Sequence, residues 1–259
     1  MVCGVEIFKE RFGKYQGQYA FIGGTACDII LGKLGVDFRA TKDLDMVLLI
    51  EALDGKFVTE LISFVEEGGY QHINKGTGEN QFYRFEKPKN SSFPHMIELF
   101  SRHPDYLHNL DVRLAPIHIS DELLSLSAIL LDDEYYSLLK EGVVTVDGVS
   151  VLDLEYIILF KMKAWIDLVQ RKEAGENIDS KNIKKHKNDV FRLAANINVD
   201  SAVQVSGKVR EDVLSFMERA ENEEVNLGQL GIKGATYSDV LDRILNCFGI
   251  TTLLNVKER

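Results

Sequence analysis

Residues 19–50 read YAFIGGTACDIILGKLGVDFRATKDLDMVLLI, and the order of textures in this stretch decides the fold. A short apolar run stops at Gly23-Gly24, apolar residues then recur at helical spacing through TACDIILGKLG, and a second apolar run follows Asp43-Leu44-Asp45. The pattern is strand, tight turn, helix and strand. Side chains alternate between the faces of a strand, so Asp43 and Asp45 project side by side. Two carboxylates that close repel each other unless something positive lies between them. Taken alone, Asp-x-Asp at a strand entry reads as a solvated loop end.

The neighbours of the pair change its meaning. Gly23-Gly24-Thr25 ends one strand and opens a helix. Glycines let the backbone approach closely there, and helix N-terminal N–H groups favour an anion. By itself such a turn is a tight strand-to-helix connection; Thr25 adds a hydroxyl. Downstream, HMIELF at 95–100 places Glu98 inside an apolar strand between Met96 and Phe100, where an unpaired carboxylate is expensive to bury. Glu98 is expected to have either an arginine or lysine partner, or a cation shared with the aspartates. Magnesium favours one or two carboxylates together with nucleotide phosphates over an all-protein cage.

Composition sets the context. With 259 residues, 45% hydrophobic content and four prolines, the chain can bury a sizeable core as one large or two smaller domains. Its 30 basic and 40 acidic residues leave a net charge of -10, which excludes indiscriminate nucleic-acid binding while leaving room for a local basic patch. Cys3, Cys27 and Cys247 are too scattered for a disulfide framework or zinc site and are expected to be reduced core thiols. No early stretch has the parts of a signal peptide, and no run approaches the roughly 20 apolar residues of a membrane span. A cytoplasmic protein with no membrane partner is expected.

The chain has two textures. Helical patterns at 5–14 and 57–67 and extended runs at 81–86, 95–100, 114–119 and 143–151 make the first part mixed α/β. Asp147-Gly148 in VDGV marks a tight hairpin. After Leu152 the periodicity is helical through LDLEYIILFKMKAWIDLVQRKE, NIKKHKNDVFRLAANI, VREDVLSFMERAENE and YSDVLDRILNCF. The fold class is therefore α+β, a mixed sheet with flanking helices at 1–150 followed by a helical bundle at 151–259.

GGTA at 23–26 and the segment Arg39-Ala40-Thr41-Lys42-Asp43-Leu44-Asp45, with one later strand carboxylate, resemble the polymerase-β-like nucleotidyltransferase superfamily. Within it, the similarity is greatest to the AbiEii/AbiGii toxin-type nucleotidyltransferases. KMKAW at 161–165, Arg171 and KKHKNDVFRL at 184–193 resemble that family's helical motifs, so the likeness spans roughly 19–195 and leaves 205–259 unmatched. The resemblance implies a catalytic domain at 1–150 that transfers a nucleoside monophosphate from a nucleoside triphosphate, ATP among them, to an acceptor hydroxyl. It implies two magnesium ions on Asp43, Asp45 and Glu98, with Glu98 helping to activate the acceptor. It implies a triphosphate over Gly23, Gly24 and Thr25, met by cationic side chains, for which Lys163 and Lys187 are the candidates and Asp189 an orienting partner. Lys187 and Asp189, two residues apart, cannot share a helix face, and a solvated helix face is the alternative for both lysines.

Other residues divide between roles. Arg39 pairs with Asp43 or contacts phosphate or base. His186, with no partner at metal spacing, reads as a helix-surface residue; Trp165 reads as interhelical packing, and Tyr135-Tyr136 as a helix start. The acceptor is open: tRNA or protein, as for the toxin of a toxin–antitoxin pair with an antitoxin partner, or a cationic small molecule of the aminoglycoside kind. The rival class is a nucleotide- or partner-binding module without turnover. A basic cluster at Lys181, Lys184, Lys185 and Lys187 is the local surface on which an RNA would rest.

Overall fold

The computed structural model describes residues 3–39, 41–49, 51–77, 80–102, 126, 129–130, 132–220 and 225–250; the expected strand at 114–119 lies outside them. The chain divides into two compact units, Met1–Asp153 and Leu154–Arg259. In the first, helix α1 (Val5–Phe12) precedes β1 (Tyr19–Phe21), α2 (Gly23–Lys33) and β2 (Asp43–Leu48). Then come α3 (Gly55–Gly68), β3 (Gln71–Thr77), β4 (Asn80–Glu86), β5 (Met96–Ser101), α4 (Asp133–Glu141) and the hairpin β6 (Val143–Val146) and β7 (Val149–Leu152). The strands form one sheet in the order β3-β4-β5-β2-β1-β7-β6. It is mixed, with β2 parallel to β5, β1 parallel to β7 and the remaining pairs antiparallel.

Local chemistry accounts for these elements. Asp147 and Gly148 both take positive φ, 49° and 85°, the two-residue turn whose twist matches paired strands, and Val146 pairs with Val149 across it. Strand β3 was not apparent in the sequence because QHINKGT lacks an apolar alternation; pairing with β4 along its length supplies the order instead. Helix α3 starts where Asp54 accepts from the Phe57 N–H at 2.8 Å, satisfying one orphan donor of the first turn. Aromatic rings fasten α1 and α3 to the sheet: Phe8 stacks on Phe12 at 4.2 Å and meets Tyr19 at 5.3 Å, Phe21 at 5.0 Å and Phe64 at 5.7 Å. Cys27 is buried as expected, but Cys3 is exposed, its thiol donating to the Ser91 carbonyl at 3.6 Å, because it stands before α1 begins.

The second unit holds α5 (Leu154–Glu173), α6 (Ser180–Ala194), α7 (Gly207–Ala220) and α8 (Tyr237–Cys247). Helix α5 is central, packing on α6 and α7, and is apolar around most of its girth, as a surrounded helix must be. Trp165 is buried edge-on against Phe216 at 5.1 Å. No helix among the described residues is long and apolar enough to cross a membrane.

Tyr19 provides a test of the first unit. Burial pushes its phenol from 10.0 up to about 12, against a hydrogen bond from the Ser150 backbone, and burial raises Tyr70 likewise. A folded-state pKa above the unfolded one stabilises fully below the unfolded value and is lost as pH rises through the folded value. Thermal unfolding is therefore expected to show Tm falling between about pH 10 and about pH 12, and Tyr19→Phe should flatten part of that fall.

Candidate functional site

Strand pairing brings the residues singled out by sequence to one place. Strand β1 runs antiparallel to β2 with Phe21 opposite Met46, so the chain leaving β1 turns up beside the entry of β2. The Ile22 N–H donates to the Asp45 carbonyl at 2.9 Å. On the other side of β2, the parallel register sets Asp45 opposite Glu98 and Asp43 opposite Met96. Leu44 and Met46 point into the core while Asp43 and Asp45 are half-buried on the opposite face, the alternation expected of a strand.

Both glycines stand at close approaches. Gly23 has φ +59°, and a Cβ built there would stand 2.6 Å from Asp45 Oδ2. A Cβ on Gly24 would stand 3.0 Å from Thr41 Oγ1. Helix α2 begins at this point with no side-chain cap from Ile22, and its start lies beside the Asp45 carboxylate, where the leading N–H groups of a helix favour negative charge. Thr25 has a different task from the one its hydroxyl suggests: it is fully buried, and its Oγ1 donates to the Asp43 carbonyl at 2.5 Å, fastening α2 to the start of β2. The Arg39 guanidinium lies over the Phe38 ring, 5.5 Å from its centroid.

Glu98 is 7% exposed and has the cationic partner that a buried carboxylate calls for. Arg84, opposite it in the β4–β5 register, donates to Oε1 from Nε at 2.8 Å and from Nη2 at 2.5 Å. Burial pushes the Glu98 carboxyl above the usual carboxylate range, and the Asp43 charge adds to the rise. Arg84 and a hydrogen bond with the Asp45 side chain pull in the other direction. Sequence reading did not single out Arg84, because its relation to Glu98 exists only through the register of two strands. Among the described residues, no group of three or more histidine, cysteine, aspartate and glutamate side chains is gathered to hold a metal. The set instead offers an aspartate pair and a glutamate anchored by arginine. This donor chemistry fits a hard cation such as magnesium, which takes few protein carboxylates and fills its shell with water and phosphate oxygens.

The remaining candidates lie in the helical unit, where each has partners. Lys163 reaches Asp212 on α7 at 2.9 Å. Asp189 is completely buried and engages Lys161 of α5 at 3.0 Å and Arg192 at 3.3 Å. Lys187 is half-buried, and burial first and then the Lys184 charge hold its ammonium below the usual lysine range. Lys161 and Asp212 were not read from sequence. KMKAW gives no reason to prefer one lysine over the other, and Asp212 lies in the unmatched 205–259 segment. His186 is buried rather than on the helix surface, since Ile183, His186, Val190 and Leu193 follow one helical stripe.

Two substitutions test these arrangements. Gly23→Ala is expected to lose more stability than Gly35→Ala, whose φ is also positive, +72°, but whose Cβ would meet nothing within 4 Å. The second reports the backbone cost alone, about 1–2 kcal/mol, and the excess in urea unfolding reports displacement of Asp45. Asp189→Ala removes the carboxylate that Lys161 and Arg192 both engage and is expected to cost about 3–5 kcal/mol in the same measurement.

No family model matches this sequence, and no curated protein matches it. Among solved structures, the chain is similar to an antigenic nucleotidyltransferase-like protein from Paracoccidioides brasiliensis, at 14% identity over 91% of this chain and 94% of that one, with a TM-score of 0.45. A likeness of that degree assigns no residue a role, and the site stands on its own geometry.

Proposed function

We propose that the N-terminal unit is a magnesium-dependent nucleotidyltransferase domain that moves a nucleoside monophosphate from a nucleoside triphosphate to an acceptor hydroxyl. The observation that carries this reading is the meeting of Gly23 with Asp45: the start of α2 and one aspartate of the pair abut so closely that a Cβ at Gly23 would stand 2.6 Å from Asp45 Oδ2. An anion-binding turn beside cation-binding carboxylates suits a ligand carrying both, and a magnesium–triphosphate is such a ligand.

In this reading the triphosphate rests over Gly23-Gly24, and Asp43 and Asp45, with Glu98 beside them, hold magnesium. The metal supplies charge neutralisation and alignment of the attacking and leaving oxygens. The acceptor oxygen bonds to the α-phosphorus, the bond from that phosphorus to its bridging oxygen breaks, and pyrophosphate leaves with the electron pair. The hydroxyl proton passes to a carboxylate, and Glu98, whose burial raises its basicity, is suited to receive it. The resemblance to toxin-type enzymes favours a tRNA or protein acceptor and an antitoxin partner. The net charge of -10 favours a cationic small molecule on electrostatic grounds.

The test is incubation with each labelled nucleoside triphosphate, magnesium and separate tRNA, protein and aminoglycoside acceptors. Label transfer by the wild type is expected to fall on the order of 100-fold or more in Asp45→Ala; transfer that persists there removes the metal-site assignment. Magnesium with the preferred triphosphate at about 100 times its Kd is expected to stabilise the wild type by about 2.7 kcal/mol, and absence of stabilisation by all four triphosphates removes the nucleotide site.

A further inference from the structure

Arg84 sits where a cation site would least be expected to carry a positive charge. Across three neighbouring strands, register sets Arg84 opposite Glu98 and Glu98 opposite Asp45. The guanidinium is itself largely buried, with a side chain 17% exposed, and both of its contacts go to one oxygen, Oε1. The other carboxylate oxygen of Glu98 is thereby left uncommitted to arginine, and the Glu98 carboxyl also meets the Asp45 side chain. Two donors of one rigid planar group pin Oε1 more narrowly than a point charge does, and together with the Asp45 contact on the same carboxyl they set how the carboxylate is turned.

We propose that Arg84 is a positioning residue of the cation site: by fixing the orientation of Glu98, it aims Glu98 and, through their mutual contact, Asp45 at the place a divalent ion occupies. This rests on the cation-site reading given above and assigns it a residue that neither sequence motif nor family likeness supplied. Two effects of Arg84 on a bound ion oppose each other. Its charge repels the ion, so by Coulomb interaction alone removing it tightens binding. Its hydrogen bonds orient two carboxylates, and partners that orient a metal's ligands typically govern affinity by about 10–100-fold. The sign of the change on removing Arg84 therefore separates an orienting residue from a charge that merely neutralises a buried glutamate.

The experiment measures Mn2+ binding to the full chain without nucleotide, by calorimetry and by the electron paramagnetic resonance of the bound ion, in wild type, Asp45→Ala, Arg84→Met and Arg84→Lys. Circular dichroism and thermal melting verify that each variant is folded. Arg84→Met is expected to weaken Mn2+ binding by about 10-fold or more despite the loss of a positive charge, and to broaden the bound-ion spectrum. Arg84→Lys, which keeps the charge but replaces the planar fork with a flexible ammonium, should recover part of that affinity. If Arg84→Met does not fold, weaker binding in Arg84→Lys at unchanged charge supports the orienting role, and wild-type binding there overturns it. Tighter or unchanged binding in folded Arg84→Met overturns the role of Arg84 and leaves the cation site standing. Absence of Mn2+ binding by the wild type, or binding that survives in Asp45→Ala, overturns the cation-site reading and the positioning role with it.

Discussion

The parallel register between β2 and β5 is the constraint on which the rest of the site depends. It sets Asp45 directly opposite Glu98, so two carboxylates meet in a partly buried place where their repulsion is costly. Arg84 answers that repulsion, and two further contacts fix the elements around it. Arg84 enters from β4 with two donors, Thr25 ties the backbone at Asp43 to α2, and Gly23 keeps the opening of α2 close to Asp45. A shift of β5 by one residue would turn Glu98 to the other face of the sheet and undo its relations to Asp45 and Arg84 at once. Asp45 on β2, Glu98 on β5 and Arg84 on β4 thus form one row across adjacent strands, with Gly23 at the start of α2 against its Asp45 end, though they are far apart in the chain.

What the sequence disclosed of this row follows from the range of each interaction. The shared face of Asp43 and Asp45 is a property of three consecutive residues, and Gly23-Gly24 marks its turn by chemistry alone. Glu98 was visible because a carboxylate amid Met96, Ile97, Leu99 and Phe100 needs a partner. Which partner was invisible: Arg84 in QFYRFE looks like any arginine on a half-exposed strand until β4 and β5 are aligned. The mixed sheet and helical second unit were legible from periodicity, and the Asp147-Gly148 turn from backbone conformations that few residues accept. The polar β3 was not, since QHINKGT has no apolar alternation to read.

In the helical unit the same limit operates through packing. A lysine-rich segment suggested that His186 lies on the surface of α6, yet one stripe of the helix carries Ile183, His186, Val190 and Leu193 inward, with Asp189 buried beside them. Lys161 and Lys163, two residues apart on α5, point in different directions: the first meets Asp189 on α6 and the second Asp212 on α7. These ion pairs join α5 to two other helices and give the bundle directional contacts that apolar surface alone lacks. Such pairs add little net stability, because desolvating the charges offsets much of their attraction.

The buried ring of Trp165 has an optical consequence. It is the only tryptophan in the chain, and it lies in the helical unit against Phe216, while the nine tyrosines emit at shorter wavelength. Fluorescence excited at the red edge of indole absorption therefore reads the environment of the bundle core and nothing of the sheet. Far-ultraviolet dichroism reads both units. Comparing the two signals during denaturation would reveal whether the sheet carrying Asp45 and the bundle carrying Trp165 melt as one cooperative body or in sequence.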